Sequence, residues 1–390
     1  MPEFWWLLIA LLPVAAWSGW SLAVYRHRKD ARRHTHSISS NYFRGLNYLL
    51  NEQPDKAIGV FLKLAEINRE TVETHLALGN LFRRRGEVDK AIRFHRHIMT
   101  RPNLSEEHRL AALLELGEDY MRAGLLDRAE GLFSELAGQG MRSEVAIRSL
   151  LSIYEQEKDW ARAIVQARAL SQVTEQETAS LIAQLYCERA AEAWNDGAID
   201  AARRHLAAAR KSQPECARSY LIEGDIQAAD QNWESAARAY QTACELEPDI
   251  VVLAIENLTR CFAETDRQPA FLDWLAKLGE RSSTTAPVLA SAHLRWRQDP
   301  SAAIEFMIEN LRARPTVRGL YLLLLLMDKS DRGLDGIDPE VLRQLMLRLL
   351  SDQPRFRCKQ CGFSGQAWHW QCPSCRQWET TKPITGVLGE

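Results

Sequence analysis

A period that is mostly 34 residues, with a step of 38 from Gly79 to Gly117, runs through the middle of the sequence between about residues 38 and 315. Each unit carries a small residue, an aromatic residue three positions later and an alanine twelve positions later. The units that fit fully or in part contain Gly45, Tyr48 and Ala57; Gly79, Phe82 and Ala91; Gly117, Tyr120 and Ala129; Leu151, Tyr154 and Ala163; Ala190, Ala193 and Ala202; and Gly224, Gln227 and Ala236. Such a period predicts similar units that bury their apolar faces only against their neighbours.

Turn residues recur at fixed positions within the units. Glycines stand five positions before the alanine at Gly86, Gly124 and Gly197, and prolines close units at Pro214, Pro248 and Pro315. The pattern resembles the tetratricopeptide repeat, a helix pair in which small residues allow close approach. That resemblance implies a right-handed superhelix with a concave inner surface. We expect about eight or nine units over residues 38–350, with degenerate units near Ala270 and Ala303.

The composition is typical of a helical protein. Only 14 of the 390 residues are proline and 20 are glycine, while Ala, Leu, Glu and Arg are abundant. The net charge of −2 gives no electrostatic case for nucleic-acid binding, and we expect none. The sequence has no phosphate-binding loop, no HExxH, no GxSxG and no dinucleotide glycine motif, so we predict that the protein is not an enzyme.

The end of the repeat region is predicted to stay helical. The apolar run from Tyr321 to Met327 is too short to cross a bilayer, so we expect a buried helix there. A second helix is expected from about Pro339 to Leu350, after a loop over 328–338 that is rich in Asp and Gly.

The N-terminus has the features of a membrane anchor. No charged residue occurs over the 21 positions from Phe4 to Val24, a length that spans a hydrocarbon core as a helix. Trp5 and Trp6 lie at one end and Trp17 and Trp20 at the other, as at two membrane interfaces. We therefore predict a transmembrane helix over residues 1–25.

The charges that flank this segment predict its orientation. Only Glu3 precedes it, whereas a basic linker over residues 26–37 follows it and contains Arg26, Arg28 and Lys29. The positive-inside rule then places the bulk of the chain in the cytoplasm, with a single pass through the membrane. A cleaved signal peptide would carry its positive charges before the apolar segment, so an uncleaved anchor is favoured.

Two cysteine pairs near the C-terminus predict one metal site. Cys358 and Cys361 form the first CxxC motif, Cys372 and Cys375 form the second, and ten residues separate them. A two-residue spacer lets both sulfurs of a pair reach one ion, so the spacing predicts a tetrahedral site with four thiolates. Such a site has no open position and is structural rather than catalytic. Accidental pairs or disulfides are the disfavoured alternatives.

The residues around these cysteines suggest a small metal-dependent module over 354–383. Gly362 can adopt the positive φ that ends a cysteine knuckle. Aromatic residues would form an apolar core, namely Phe356, Phe363, Trp368, Trp370 and Trp378. Basic residues either offset the thiolate charge or are ordinary solvated surface, namely Arg355, Arg357, Lys359 and Arg376. About thirty residues fold poorly without an ion, and their aromatic residues exceed what they can bury, so we expect docking onto the repeats.

Other cysteine and histidine residues are interpreted as structural. Cys187, Cys216, Cys244 and Cys261 are scattered along the repeats, as small buried apolar residues often are. His95 and His97 are two positions apart and point to different faces of a helix, so they make a poor metal pair. His369 is not expected to be a ligand, because four cysteines already fill the site.

The order of anchor, basic linker, repeats and cysteine pairs resembles the lipopolysaccharide assembly protein B family of Gram-negative bacteria. The most specific segments are Leu78–Arg83, Arg357–Phe363 and Cys372–Arg376. The resemblance implies a rubredoxin-like module in which Cys358, Cys361, Cys372 and Cys375 bind the metal. It also implies an inner-membrane adaptor that promotes the degradation of one enzyme, the deacetylase that commits precursors to lipid A. The protease that degrades this deacetylase is the membrane AAA+ zinc protease. The resemblance thus implies three partners: the protease, the deacetylase and an inner-membrane lipopolysaccharide sensor protein that restrains the adaptor.

Two other functions remain open from the sequence. One is a scaffold for lipopolysaccharide synthesis or transport complexes without a proteolytic role. The other is a redox protein with iron at the four cysteines, since four thiolates suit either metal. Rubredoxins carry glycine after both pairs, whereas Arg376 follows the second pair here, which favours zinc over iron. Homo-oligomerisation is also left open.

Overall fold

The computed structural model describes residues 72–102, 104–138, 143–174, 178–330, 339–351, 353–387 and 389, with isolated positions at 20, 43–45, 47–48, 56–57 and 59–60. The predicted anchor and basic linker, residues 1–37, therefore lie outside the described residues apart from Trp20. Within the described ranges no helix is both long enough and apolar enough to cross a membrane. The predicted loop over 328–338 is described only as far as Ser330.

The described chain is mostly helical. Its helices are α1 (Val72–Arg84), α2 (Val88–Met99), α3 (Glu106–Arg122), α4 (Leu126–Gly138), α5 (Ser143–Glu157), α6 (Trp160–Val173), α7 (Ala179–Asn195), α8 (Ile199–Ser212), α9 (Ala217–Ala229), α10 (Trp233–Leu246), α11 (Val251–Glu264), α12 (Gln268–Arg281), α13 (Ala286–Gln298), α14 (Pro300–Ala313), α15 (Val317–Lys329) and α16 (Pro339–Ser351). A short 3-10 turn, Pro248–Ile250, precedes α11. The predicted series of helix pairs is confirmed over these residues, as are the buried helix at Tyr321 and the helix beginning at Pro339, whereas the number of units stays a prediction. The alignment at Ala270 is wrong by one residue, because Ala270 is exposed and Phe271 is buried in its place.

Paired helices approach closely because a glycine of the first helix faces a ring of the second. A Cβ atom on Gly117 would lie 2.7 Å from Phe133 Cζ, and one on Gly224 would lie 2.6 Å from the Tyr240 ring. At Gly79 the side chain of His95 occupies the equivalent space. The alanines that recur in the sequence are fully buried, at Ala91, Ala129, Ala163, Ala202 and Ala236.

The turns inside the helix pairs share one backbone conformation. The three glycines expected there have positive φ, with Gly86 at 81°, Gly124 at 73° and Gly197 at 77°. Residues with side chains take the same conformation at the corresponding turns, with Lys158 at 58°, Gln231 at 59° and Asp266 at 52°. The turn geometry is therefore set by the repeat, and glycine is only the residue that adopts it most easily.

The chain divides into two compact units, residues 1–153 and 154–390. The second unit contains the helices from α6 onwards and a small ribbon near the C-terminus. The ribbon strands β1 (Phe356–Cys358), β2 (Ser364–Gly365) and β3 (Thr381–Pro383) form an antiparallel sheet in the order β2-β1-β3. Phe356 of β1 pairs with Gly365 on one side and Pro383 on the other.

Candidate metal centre and the surface that holds it

The two cysteine pairs form knuckles with the same hydrogen bonds. In the first, the Gly362 amide donates to the Cys358 carbonyl over 3.0 Å, and the Cys358 amide donates to the Phe363 carbonyl over 2.7 Å. In the second, the Arg376 amide donates to the Cys372 carbonyl over 2.8 Å, and the Cys372 amide donates to the Gln377 carbonyl over 2.9 Å. Each CxxC motif therefore curls its two sulfurs towards one point.

The four sulfur atoms converge on a volume the size of one ion. All four Sγ atoms lie within 4.8 Å of one another. The Cys358–Cys375 and Cys361–Cys372 sulfur pairs are each 3.7 Å apart. A metal–sulfur bond of about 2.3 Å gives a tetrahedron with an edge of about 3.8 Å, so the donor set fits a four-thiolate ion. Together the four cysteines form a metal-binding site.

The surroundings of the sulfurs favour a bound cation. Thr380 Oγ1 lies 3.2 Å from Cys358 Sγ, and this hydrogen bond lowers the pKa of Cys358 to about 6. The Phe363 amide lowers the pKa of Cys361. At Cys375 the Gln377 amide favours the thiolate, but the burial and the neighbouring sulfurs raise its pKa to about 12. Four thiolates at this spacing repel one another unless a cation lies between them.

The arginine after the second pair does not change the knuckle. Arg376 has φ 59°, in the same left-handed region as Gly362 at 80°. The backbone therefore makes equal turns after both cysteine pairs, although only one position has glycine. The His369 ring lies 6.1 Å from the Phe363 ring, and His369 is not part of the group of four sulfurs.

The predicted basic residues do not all face the sulfurs. Arg357 Nε donates to Ser364 Oγ over 3.2 Å, and the Arg355 guanidinium lies 5.6 Å from the Phe356 ring. Lys359 and Arg376 are exposed, although Arg376 also acts on Glu155 of α5. Ordinary surface roles therefore account for a large part of this basic group.

Four of the five aromatic residues predicted to form the ribbon core are shared between that core and the repeats, whereas the prediction is wrong for Phe363, which is exposed. Phe356 is 4% exposed and meets the Trp368 ring edge-on at 5.6 Å. Trp368 and Trp370 pack against the buried cluster formed by α9 to α13. Trp378 meets the ring of Trp160, the first residue of α6, at 6.3 Å. These contacts confirm that the ribbon docks onto the repeats.

Hydrogen bonds fix the segment that follows the second knuckle. Trp378 Nε1 donates to Glu155 Oε1 over 2.9 Å. On α7, Ser180 Oγ donates to Glu379 over 2.5 Å and Gln184 Nε2 donates to Glu379 over 2.8 Å. Burial raises the pKa of Glu155, although the hydrogen bond from Trp378 lowers it in part. One short ribbon segment is thus tied to two helices.

Charged residues extend the contact along the repeats. The Arg218 guanidinium stacks over the Trp370 ring at 4.9 Å and also donates to Glu188 over 2.7 Å. Arg218 and Gln184 occupy equivalent positions 34 residues apart and are hydrogen-bonded to each other over 3.3 Å. At the far side Lys382 of β3 forms an ion pair with Glu247.

These docking residues carry no sequence motif that identifies them. Gln184 is fully buried and Arg218 is 6% exposed, although both are polar residues within the repeat helices. The available signal was their equal position in consecutive repeats, combined with the surplus of aromatic residues in the ribbon. That signal indicates a contact but does not specify which helices make it.

The structural interpretation of the remaining cysteine and histidine residues holds with one addition. Cys187, Cys244 and Cys261 are buried inside helices, whereas Cys216 is buried just before α9. His95 is fully buried, and its Nδ1 lies 2.5 Å from Asp119. It replaces the phenylalanine or tyrosine of other repeats, a role that the sequence analysis missed.

Family models agree with this division of the chain. A rubredoxin metal binding domain matches residues 356–383, and tetratricopeptide repeat models match residues 74–109 and 187–249. The solved structure of MamA is similar to part of this chain. The two are 22% identical, the match covers 43% of this chain and 94% of MamA, and the TM-score is 0.29.

Two curated relatives extend over nearly the full length. Lipopolysaccharide assembly protein B of Escherichia coli is 33% identical over 385 residues, which cover 98% of this chain and 99% of the relative. The protein of the same name from Haemophilus influenzae is 32% identical, with 97% and 98% covered. Since about one third of the residues are identical along almost all of both chains, the protein belongs to the lipopolysaccharide assembly protein B family.

Proposed function

We propose that the protein is an inner-membrane adaptor that regulates lipopolysaccharide biosynthesis through proteolysis. In this role it brings the lipid A-committing deacetylase to the membrane AAA+ protease, and an inner-membrane lipopolysaccharide sensor protein restrains it. The observation that carries the proposal is full-length membership of the lipopolysaccharide assembly protein B family. Tetratricopeptide repeats support it because they offer extended surfaces to protein ligands.

The docked ribbon gives this adaptor a defined composite surface. Trp378 and Glu379 are held by α5 and α7, while Trp370 lies under Arg218 of α9. A partner that approaches these repeats therefore meets ribbon and helices together. Loss of the ribbon should weaken partner binding as well as remove the metal.

We propose zinc as the ion of the ribbon. Zinc with four thiolates is a closed structural site, which suits a module whose role is to hold a surface. Iron also accepts four thiolates, so the redox alternative makes a separate prediction. Elemental analysis of the purified full chain should give one zinc per chain, whereas a coloured protein with one iron per chain would favour the redox function.

Membrane attachment is part of the proposal, with the bulk of the chain on the cytoplasmic side. An uncharged N-terminal segment followed by basic residues supports this placement. Confinement to the membrane raises the effective concentration of a membrane-bound protease. A chain shortened to begin near Ser37 should then complement poorly at matched expression, and full complementation would contradict the need for an anchor.

A pulse-chase experiment tests the adaptor function. Depletion of the protein should lengthen the half-life of the deacetylase while its rate of synthesis stays unchanged. The alternative is an assembly scaffold without a proteolytic role, in keeping with the name of the relatives, lipopolysaccharide assembly protein B. An unchanged deacetylase half-life on depletion would reject the adaptor and leave the scaffold.

A further inference from the structure

A second pair of sulfur atoms lies inside the repeats, apart from the ribbon. Cys187 belongs to α7 and Cys216 immediately precedes α9, so the two come from consecutive repeats. Their Sγ atoms are 3.7 Å apart, and the side chains are 0% and 1% exposed. Two thiols in van der Waals contact need an explanation other than the burial of isolated apolar side chains.

This pair does not have the donors of a structural metal site. A metal site needs at least three cysteine, histidine or acidic side chains close enough to share one ion. In the described part of the chain, the four ribbon cysteines meet this condition, and Cys187 and Cys216 do not belong to their group. The polar neighbour of Cys216 is instead an amide, with Gln184 Nε2 at 3.8 Å from its sulfur. Two adjacent thiols with no third ligand are suited to forming a bond with each other.

The two sulfurs are not chemically equal. The hydrogen bond from Cys187 lowers the pKa of Cys216, and the Ser219 amide and the Arg218 charge act in the same direction. The same hydrogen bond, together with burial, raises the pKa of Cys187. Of the two sulfurs, Cys216 is therefore the one that loses its proton more easily. Such an unequal pair is the arrangement in which one cysteine attacks an oxidant and the other resolves the product.

We propose that Cys187 and Cys216 are a peroxide-reactive dithiol that closes to an intrachain disulfide. The Cys216 thiolate attacks one oxygen of a small peroxide; the O–O bond breaks and Cys216 becomes a sulfenic acid as hydroxide leaves. Cys187 then attacks the Cys216 sulfur, forming the S–S bond; its proton and the sulfenic hydroxyl leave as water. With hydrogen peroxide, the dithiol loses two electrons and the peroxide is reduced to two molecules of water.

The burial of the two thiols and the distance between them determine which oxidant can react and what the disulfide does to the helices. The sulfurs must approach from 3.7 Å to about 2.05 Å, which moves the start of α9 relative to α7. Since both thiols are buried, a small peroxide reaches them more readily than a bulky disulfide such as oxidised glutathione. Gln184 contacts both Cys216 and Glu379, so the bond forms directly beneath the docked ribbon.

Peptide mapping of the metal-loaded full chain tests the proposal. The protein is treated with hydrogen peroxide, quenched, alkylated in denaturant and digested with trypsin, which cuts after Arg189 and Lys211 between the two cysteines. We expect a linked peptide pair containing Cys187 and Cys216, which a thiol reductant separates. Oxidised glutathione at equal concentration should give at least tenfold less of it.

Matched variants distinguish this pair from other buried cysteines. Cys216→Ser should abolish the linked peptide, whereas Cys244→Ser, which alters a buried thiol elsewhere in the same unit, should retain it. Recovery of Cys187 and Cys216 as separately alkylated peptides, at peroxide levels that oxidise the ribbon cysteines, would overturn the proposal. Oxidation of Cys216 to sulfinic acid while Cys187 stays a free thiol would overturn it as well.

Discussion

In the repeats, paired helices are held together by apolar side chains, whereas in the ribbon the two knuckles face each other through sulfur atoms. Tyr240 and Phe133 are fully buried against glycines of the neighbouring helix. In the ribbon Cys358 and Cys372 are buried, yet Cys361 and Phe363 are exposed. The repeats are thus stabilised by apolar packing along their whole length, while the two knuckles of the ribbon are held together at the four-cysteine site.

Strand length in the ribbon leads to the same contrast. Its strands have three, two and three residues, too few for a sheet that is stable by itself. The ribbon therefore depends on the ion inside it and on the helices beneath its tryptophans. A helix pair, by contrast, depends on its neighbours on both sides. The difference predicts where a single substitution has a local effect and where it spreads.

Removal of the metal ligands is the largest expected effect. The double variant Cys358→Ser, Cys375→Ser should release one metal ion per chain and unfold the ribbon, because two thiolates of the four are lost. The repeats should keep most of their helicity, since their clusters do not include the knuckles. Elemental analysis and far-ultraviolet circular dichroism measure the two results.

The control for this experiment is Cys244→Ser, since Cys244 is buried in α10 and contributes no ligand. It should keep the metal at full stoichiometry. Stoichiometric metal in the double variant would reject the four-thiolate site, and parallel loss of repeat helicity would contradict the contrast between the two regions.

A substitution at a helix contact should act in the opposite way. Gly224→Ala places a methyl group 2.6 Å from the Tyr240 ring, so the helices must shift at a cost of about 1–3 kcal/mol in the free energy of unfolding. Gly279→Ala is the matched control, because its nearest neighbour would be 3.9 Å away and alanine favours a helix. Denaturant unfolding should show a loss for the first variant and none for the second, with metal content unchanged in both.

A smaller effect is expected where the two regions meet. Trp378→Phe removes the donor to Glu155 and leaves a half-buried carboxylate without that hydrogen bond, which costs about 1–2 kcal/mol. Thermal unfolding should record the loss while elemental analysis still finds one ion per chain. Adding Glu155→Leu should recover part of the loss, because both partners are then apolar; no recovery would mean that this bond does not couple ribbon and helix.

The sequence predicts the local elements of both regions but not the contact between the ribbon and the helices. The 34-residue period and the CxxC spacing are local patterns, so they identify the helix pairs, the turn at Gly197 and the four sulfurs. Docking of the ribbon depends on residues about 195 positions apart, such as Gln184 and Glu379. No local pattern specifies which helix surface a tryptophan will cover.

His95 and Gln231 show a second limit of sequence analysis. A search for aromatic residues does not find His95, although it fills the same space as Phe133 and is satisfied by Asp119. A search for glycine does not find the turn at Gln231. In both cases the repeat backbone imposes the position, and a chemically different residue accommodates it at some cost.

The smallest expected effect lies in that turn. Gln231 has φ 59° and is exposed, so Gln231→Gly should relieve left-handed strain and stabilise the second unit by up to about 1 kcal/mol. Gly197→Ala is the reciprocal change at an equivalent turn, where a Cβ would meet no atom within 4 Å. Its cost of about 1 kcal/mol would therefore be conformational alone. Opposite shifts in denaturant midpoint would support a turn imposed by the repeat, whereas equal shifts in one direction would show that the side chains, and not the backbone, determine it.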